Sequence, residues 1–118
     1  MTASLFDYTE EEFEELFNDV VDEIIKISSE LKYKLLLFKH KPEVNELLSE
    51  IVRNFHTIKG TSSIVGLMDI AKISAKLELQ AKGLLKDTGK INEDIVSELI
   101  EGNDEITANI CKKQCVYK

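Results

Sequence analysis

Apolar residues recur every three or four positions along most of this 118-residue chain, and that spacing places them on one side of an α-helix. Polar or helix-breaking residues interrupt the pattern in three places. It therefore predicts four amphipathic helices, over about 10–38, 43–65, 69–86 and 93–112. In the first helix the inward positions are Phe13, Leu16, Phe17, Val20, Val21, Ile24, Ile27, Leu31, Leu35 and Phe38. In the other three they are Val44, Leu47, Leu48, Ile51, Phe55, Ile58, Ser62 and Val65, then Ile70, Ile73, Leu77, Ala81 and Leu84, then Ile95, Leu99, Ile106 and Ile110.

Residues at the helix ends agree with these limits. Thr9 and Glu12 form a capping box before the first helix, in which each side chain can satisfy a free backbone N–H. Pro42 marks the break before the second helix, or its first position. Gly66 is a natural stop for the second helix, because glycine readily adopts the left-handed conformation. Asn92 is the expected N-cap of the fourth helix.

Four amphipathic helices with short connections predict an all-α fold, an antiparallel up-down-up-down four-helix bundle. The length suits one domain, and no repeat or low-complexity linker divides the sequence. We therefore expect a single domain over residues 1–118.

Composition narrows the range of partners. The chain is 43% hydrophobic and carries a net charge of −7, which argues against nucleic acid, since phosphate contacts need basic surface. No run approaches the ~20 apolar residues of a membrane span, and the N-terminus lacks the features of a signal peptide. We expect a cytoplasmic protein.

Cys111 and Cys115 have no nearby histidine or second cysteine pair, so we interpret them as free thiols rather than zinc ligands.

The candidate chemistry lies on the second helix. His56 follows the inward-facing Phe55 by one residue, or about 100° around the helix, so it is expected at the boundary between core and solvent. Lys59 and Gly60 are three and four positions further on and are surface neighbours of His56. A glycine inside a helix costs about 1 kcal/mol relative to alanine, and beside an exposed histidine it indicates that something approaches closely. Gly102 is expected to weaken the fourth helix locally.

The stretch from His56 reads H-T-I-K-G, followed by V-G-L and later by K-L-E. This resembles the histidine phosphotransfer (HPt) domain of bacterial phosphorelays, and is most similar to the N-terminal phosphotransfer domain of the chemotaxis kinase CheA. The family pattern is H-x-[IL]-K-G, a run of small residues, an apolar-Gly-apolar helix end and a Glu on the next helix. The resemblance covers roughly residues 13–110, and the family has the same four-helix architecture.

The resemblance implies roles for three residues. His56 matches the phosphoacceptor, and a neutral imidazole, with an unperturbed pKa of about 6.5, can attack phosphorus through one ring nitrogen. Glu78 matches the carboxylate that accepts a proton from the other nitrogen and fixes the tautomer. Lys59 matches the family's lysine, whose ammonium can offset the charge of the phosphoryl group.

The same resemblance implies a docking surface and includes one departure. Gly60 matches the glycine that leaves room for a partner, and we expect Val52 and Ser63 to belong to the same surface. Several CheA-type domains have a second histidine three residues before the Glu, where this chain has Ala75. A relay through that residue is therefore absent, which leaves the assignment of the nucleophile intact.

These observations predict a phosphoryl carrier in a two-component phosphorelay. An ATP-using histidine kinase domain would phosphorylate His56, and an aspartate of a response-regulator receiver domain would take the group. The chain would be a monomer without metal or cofactor and not an enzyme by itself. The resemblance implies the phosphoacceptor domain of a CheA-type kinase as one setting for it. The alternative is a non-catalytic helical-bundle adaptor for protein–protein interaction.

The residue spacings of nucleotide-binding loops and di-iron sites do not occur in this sequence. The phosphate-binding pattern G-x-x-x-x-G-K-[ST] does not occur. A di-iron bundle needs two Glu-x-x-His pairs, but Arg53 stands three residues before His56 and Leu37 three before His40. His40 lies among lysines at the end of the first helix and is interpreted as a surface residue.

Overall fold

The structure is a computed structural model that describes residues 9–42, 45–86 and 93–114. It contains four α-helices, which are α1 (Glu10–His40), α2 (Asn45–Ile64), α3 (Met68–Lys86) and α4 (Glu93–Lys113). The predicted all-α fold is confirmed, and the helix limits that fall in the described ranges agree with the prediction to within two residues. The predicted start of the second helix at 43, the cap at Asn92 and the residues Val44 and Cys115 lie outside the described ranges.

The helices form a closed bundle in which each one packs on two neighbours. α2 packs most extensively on α3, α1 packs on α4, and the α1–α2 and α3–α4 contacts complete the ring. Antiparallel neighbours joined by short connections produce this arrangement. None of the helices in the described ranges is long and apolar enough to cross a bilayer.

The hydrophobic core follows the predicted stripes. Its fully buried members include Phe38, Phe55, Ile24, Leu31, Ile51, Ile58, Ile70, Leu99, Ile106 and Ile110. Five residues predicted to face inward, Phe13, Leu16, Ile27, Ile73 and Ile95, are partly buried and pack against its edge.

Two helix ends have the geometry that the sequence indicates. The Thr9 hydroxyl accepts from the Glu12 backbone N–H at 3.1 Å at the start of α1. At the end of α2, Gly66 has a φ of 78°. There the N–H of Leu67 donates to Ser62 O at 2.9 Å and that of Gly66 to Ser63 O at 3.2 Å, which is a Schellman motif. This turn sends the chain directly into α3.

The contact between α1 and α4 contains buried polar groups that the apolar pattern did not predict. Asn103 is fully buried, and its side-chain amide donates to Ser28 O at 2.9 Å. The Thr107 hydroxyl donates to Ser28 Oγ at 3.2 Å. Because an unpaired buried polar group is costly, these bonds favour one register between the two helices.

Gly102 has a packing role that the sequence pattern did not indicate, in addition to the expected local weakening of α4. A Cβ added at this position would lie 2.5 Å from Cδ2 and 2.7 Å from Cδ1 of Leu77. Leu77 is itself buried on α3. The missing side chain therefore lets α3 and α4 approach each other closely.

Candidate functional site

The imidazole of His56 stands on the outside of α2, where the helical phase predicts it. Its side chain is 64% exposed, whereas the preceding Phe55 is fully buried. The backbone of this segment is thus held by the core while the ring reaches solvent. Large molecules can approach the ring without any opening of the bundle.

The carboxyl group of Glu78 reaches the ring from α3. His56 Nδ1 and Glu78 Oε2 are 2.8 Å apart, which is hydrogen-bond distance. Glu78 is only 3% exposed, although it lies in the middle of a helix with a solvent-facing side. The α2–α3 packing therefore encloses the carboxylate and leaves the imidazole outside.

Two lysines surround the same carboxylate. Lys59 Nζ donates to Oε1 of Glu78 at 2.8 Å, and Lys82 Nζ lies 3.3 Å from Oε2, the oxygen that also contacts His56. The sequence reasoning missed Lys82. Its position four residues after Glu78 was the available signal, because such pairs are neighbours on a helix.

These contacts determine the charge of Glu78. Burial raises the pKa of the carboxyl group, but hydrogen bonds from Lys59, His56 and Lys82 outweigh burial and lower the pKa to about 2. The carboxylate is therefore ionised at neutral pH and can only accept hydrogen bonds. In a neutral His56 ring the proton must then reside on Nδ1, and Nε2 carries the free lone pair.

The three residues expected to form a docking surface differ in exposure. Gly60 is exposed, and a Cβ added there would have no neighbour within 4 Å, so packing does not explain this glycine. Ser63 is exposed and its hydroxyl donates to Lys59 O at 2.7 Å. Val52 is half-buried and packs against the core.

The remaining candidates lie apart from this constellation. His40 is exposed at the end of α1, as predicted, and Cys111 is an exposed free thiol on α4. Within the described ranges, no group of three His, Cys, Asp or Glu side chains comes together in a way that could hold a metal ion.

Comparison with known proteins agrees with the geometry. The sequence profile of the Hpt domain family matches residues 4–109, so the chain belongs to that family. Its members are helical bundles with a histidine phosphotransfer role in two-component signalling.

A relative identifies the kind of protein in which a similar domain occurs. The chain is 29% identical over 94 residues to the sensor histidine kinase CheAY of Helicobacter pylori. The aligned part covers 80% of this chain but 12% of the kinase, so the chain spans a small fraction of that relative's length. No solved structure matches.

Proposed function

We propose that His56 is the phosphoacceptor and that its Nε2 atom is the nucleophile. One observation carries this proposal. An exposed imidazole has its Nδ1 atom 2.8 Å from a buried carboxylate, and the low pKa of that carboxylate requires Nδ1 to hold the proton of the neutral ring. The opposite ring nitrogen then points its lone pair away from Glu78.

Phosphoryl transfer through this site is a pair of displacements at phosphorus. The Nε2 lone pair forms a bond to the γ-phosphorus of ATP held by a kinase domain, and the bond between that phosphorus and the bridging oxygen of ADP breaks. An aspartate oxygen of a receiver domain then bonds to the same phosphorus, and the N–P bond breaks. His56 recovers its lone pair, while Nδ1 keeps its proton throughout.

The charges around Glu78 support both displacements. The carboxylate stabilises positive charge that develops on the ring as Nε2 attacks. Lys59 and Lys82 balance the buried carboxylate and add a net positive charge near the incoming phosphoryl group. Their side chains are 36% and 51% exposed, so both ammonium groups are accessible to an incoming phosphoryl group.

Membership of the Hpt family supports the partners and the carrier role that we propose. The partners are a histidine kinase catalytic domain and a response-regulator receiver domain, and the chain is a carrier rather than a complete enzyme. We propose that residues 1–118 form one monomeric HPt domain that works in the cytoplasm without metal or cofactor, as the phosphoacceptor domain of a CheA-type kinase or as a separate carrier.

The test is incubation with a histidine kinase catalytic domain and γ-³²P-labelled ATP. We expect a label that is lost in acid and retained in base, which is the behaviour of phosphohistidine. A two-dimensional NMR spectrum of the phosphorylated protein should place phosphorus on Nε2 of His56. A label on another residue, or on Nδ1, would contradict the proposal. No labelling by any tested kinase would favour the adaptor alternative.

A further inference from the structure

The two lysines beside Glu78 contact different oxygens of its carboxylate. Lys59 Nζ donates to Oε1 at 2.8 Å. Lys82 Nζ lies 3.3 Å from Oε2, and His56 Nδ1 contacts the same oxygen at 2.8 Å. Within the described ranges, Oε2 therefore has two partners, whereas Lys59 is the one partner of Oε1.

This difference decides which lysine can leave the carboxylate. Glu78 is only 3% exposed, so water has little access to replace a lost partner, and a buried charged group without a partner is costly. Departure of Lys59 would leave Oε1 without a hydrogen bond. Departure of Lys82 would leave each oxygen with a partner, because Lys59 stays on Oε1 and His56 stays on Oε2.

Lys82 is also the more loosely held of the two lysines. Its side chain is 51% exposed, against 36% for Lys59, and its contact with the carboxylate is the longer one. It lies four residues after Glu78 on α3, and ion pairs with this spacing on an exposed helix face contribute little to stability. The bond from Lys59 joins α2 to α3, so it is part of the contact between the two helices.

A phosphoryl group on Nε2 of His56 would compete with Glu78 for an ammonium group. It is multiply negative and has several strong acceptor oxygens, and its hydrogen bonds with an ammonium are charge-assisted. It also adds negative charge beside the ionised carboxylate of Glu78. One lysine is then needed on each anion.

Resting on the phosphotransfer role proposed for His56, we propose that the two lysines have different roles. Lys82 leaves Glu78 and donates hydrogen bonds to the phosphoryl group on Nε2, which makes it a catalytic residue in both displacements. Lys59 stays on Oε1 and is a positioning residue, because it holds the carboxylate that keeps the proton of His56 on Nδ1. The resemblance implied the phosphoryl contact for Lys59, and the geometry assigns that contact to Lys82. Both ammonium groups keep their protons, so the bonds that form and break are those of the proposed transfer.

Methionine substitutions separate the two roles, since methionine keeps much of the side-chain length and removes the charge. The variants are Lys82→Met and Lys59→Met, with Lys72→Met as the matched control at another exposed lysine of α3. The phosphoryl donor is phosphoramidate, a small molecule that needs no docking surface. The measurements are the rate of phosphorylation of His56, the ³¹P chemical shift of its phosphoryl group, and the ¹⁵N chemical shifts of its ring before phosphorylation. The ¹⁵N shifts report the tautomer and are recorded at about pH 8.5, where an ordinary imidazole is neutral.

We expect Lys82→Met to slow phosphorylation about tenfold and to shift the ³¹P signal, while the ring keeps its proton on Nδ1. The loss is smaller than for a donor in a water-excluded site, because this site is open to solvent. Lys82→Arg restores a cation and should recover much of the rate. We expect Lys59→Met to leave the ³¹P shift unchanged and to weaken the preference for protonation on Nδ1. Lys72→Met should match the wild type in all three measurements.

Several outcomes would overturn these roles. A wild-type rate and a wild-type ³¹P shift in Lys82→Met would do so, and so would a ³¹P signal that moves equally in both variants or only in Lys59→Met. If Lys59→Met does not fold, the rates and ³¹P shifts of Lys82→Met and Lys82→Arg still decide whether Lys82 binds the phosphoryl group. If neither phosphoramidate nor a histidine kinase domain phosphorylates His56 of the wild-type chain, the proposed function itself is refuted.

Discussion

Gly60 and Gly102 are both glycines inside helices, but they lie on two sides of the bundle that differ in how closely neighbouring side chains pack against them. At Gly60, on the α2–α3 side, an added Cβ would meet nothing, whereas at Gly102, where α4 meets α3, it would overlap Leu77. The absent side chain of Gly60 leaves open space on the protein surface, whereas the absent side chain of Gly102 makes room for the buried Leu77. Packing thus explains the glycine at 102 and does not explain the glycine at 60, and only the surroundings distinguish the two.

The buried polar groups of the two sides differ in the same way. Asn103 joins α4 to Ser28 of α1 by a neutral hydrogen bond and is fully buried. Glu78 is nearly as buried, but it is charged and its partners His56 and Lys82 are largely exposed. A structural polar group directs its bonds into the core, whereas Glu78 directs them to groups that other molecules can reach.

The sharpest test of this contrast is His56→Gln. We expect complete loss of acid-labile phosphorylation with the fold retained. The melting temperature should fall only modestly, because the change alters one of three partners of the buried Glu78 carboxylate while Lys59 and Lys82 remain. Labelling with kinase and ATP, beside a thermal melt, measures both. His40→Gln is the control and should label like the wild type. If His56→Gln retains the label while His40→Gln loses it, the acceptor is at the end of α1.

Gly60→Gln should have the next largest effect. The new side chain stands one turn from His56 in open space, so we expect an unchanged or higher melting temperature and about tenfold slower transfer in both directions between His56 and protein partners. Phosphorylation by acetyl phosphate, a small donor that needs no docking, should suffer less. Gly60→Ala is the matched control for size. A Gly60→Gln chain that transfers at the wild-type rate would remove α2 from the docking surface.

Acid should weaken the α2–α3 side through Glu78. Its pKa is about 2 in the folded protein and 4.5 in the reference state, so its contribution to stability is present above pH 4.5 and is lost as pH falls toward 2. The full contribution is no more than about 3 kcal/mol, of which about 2 kcal/mol should be lost by pH 3. Urea unfolding at pH 7, 4.5 and 3 measures it.

Glu78→Gln is the control for that titration, because it keeps every other acidic group. Its free energy of unfolding should fall less between pH 4.5 and pH 3 than that of the wild type. Equal losses in the two proteins would mean that Glu78 is not held ionised by its lysine and histidine partners.

Replacing each of the two glycines by alanine should give the smallest effects, but it compares the two positions most directly. Gly60→Ala should stabilise the protein by up to about 1 kcal/mol through helix propensity. Gly102→Ala gains the same propensity but must displace the buried Leu77, and overpacking typically costs about 1–3 kcal/mol. Urea unfolding should therefore find Gly102→Ala less stable than Gly60→Ala by about 1–3 kcal/mol. A Gly102→Ala protein as stable as Gly60→Ala would mean that Leu77 can move aside freely.

The sequence by itself determined the four helices, the turn at Gly66 that follows α2 and the exposed position of His56. These features are local, because helical periodicity, capping and the left-handed preference of glycine act within a few residues. The H-T-I-K-G motif and the later Glu78 indicated membership of the Hpt family. That inference came from resemblance to known sequences and not from local physical chemistry.

Only the tertiary structure decided the features that depend on contacts between helices. Contacts between α2 and α3 bury Glu78, and Lys82 is one of the partners of its carboxylate. Gly102 packs closely on α3, and Asn103 lies in the core between α1 and α4. Each of these results depends on the angle and register at which two helices meet, which no single helical stripe specifies. The charge state of Glu78, and with it the ring nitrogen of a neutral His56 that carries the free lone pair, follows from that packing.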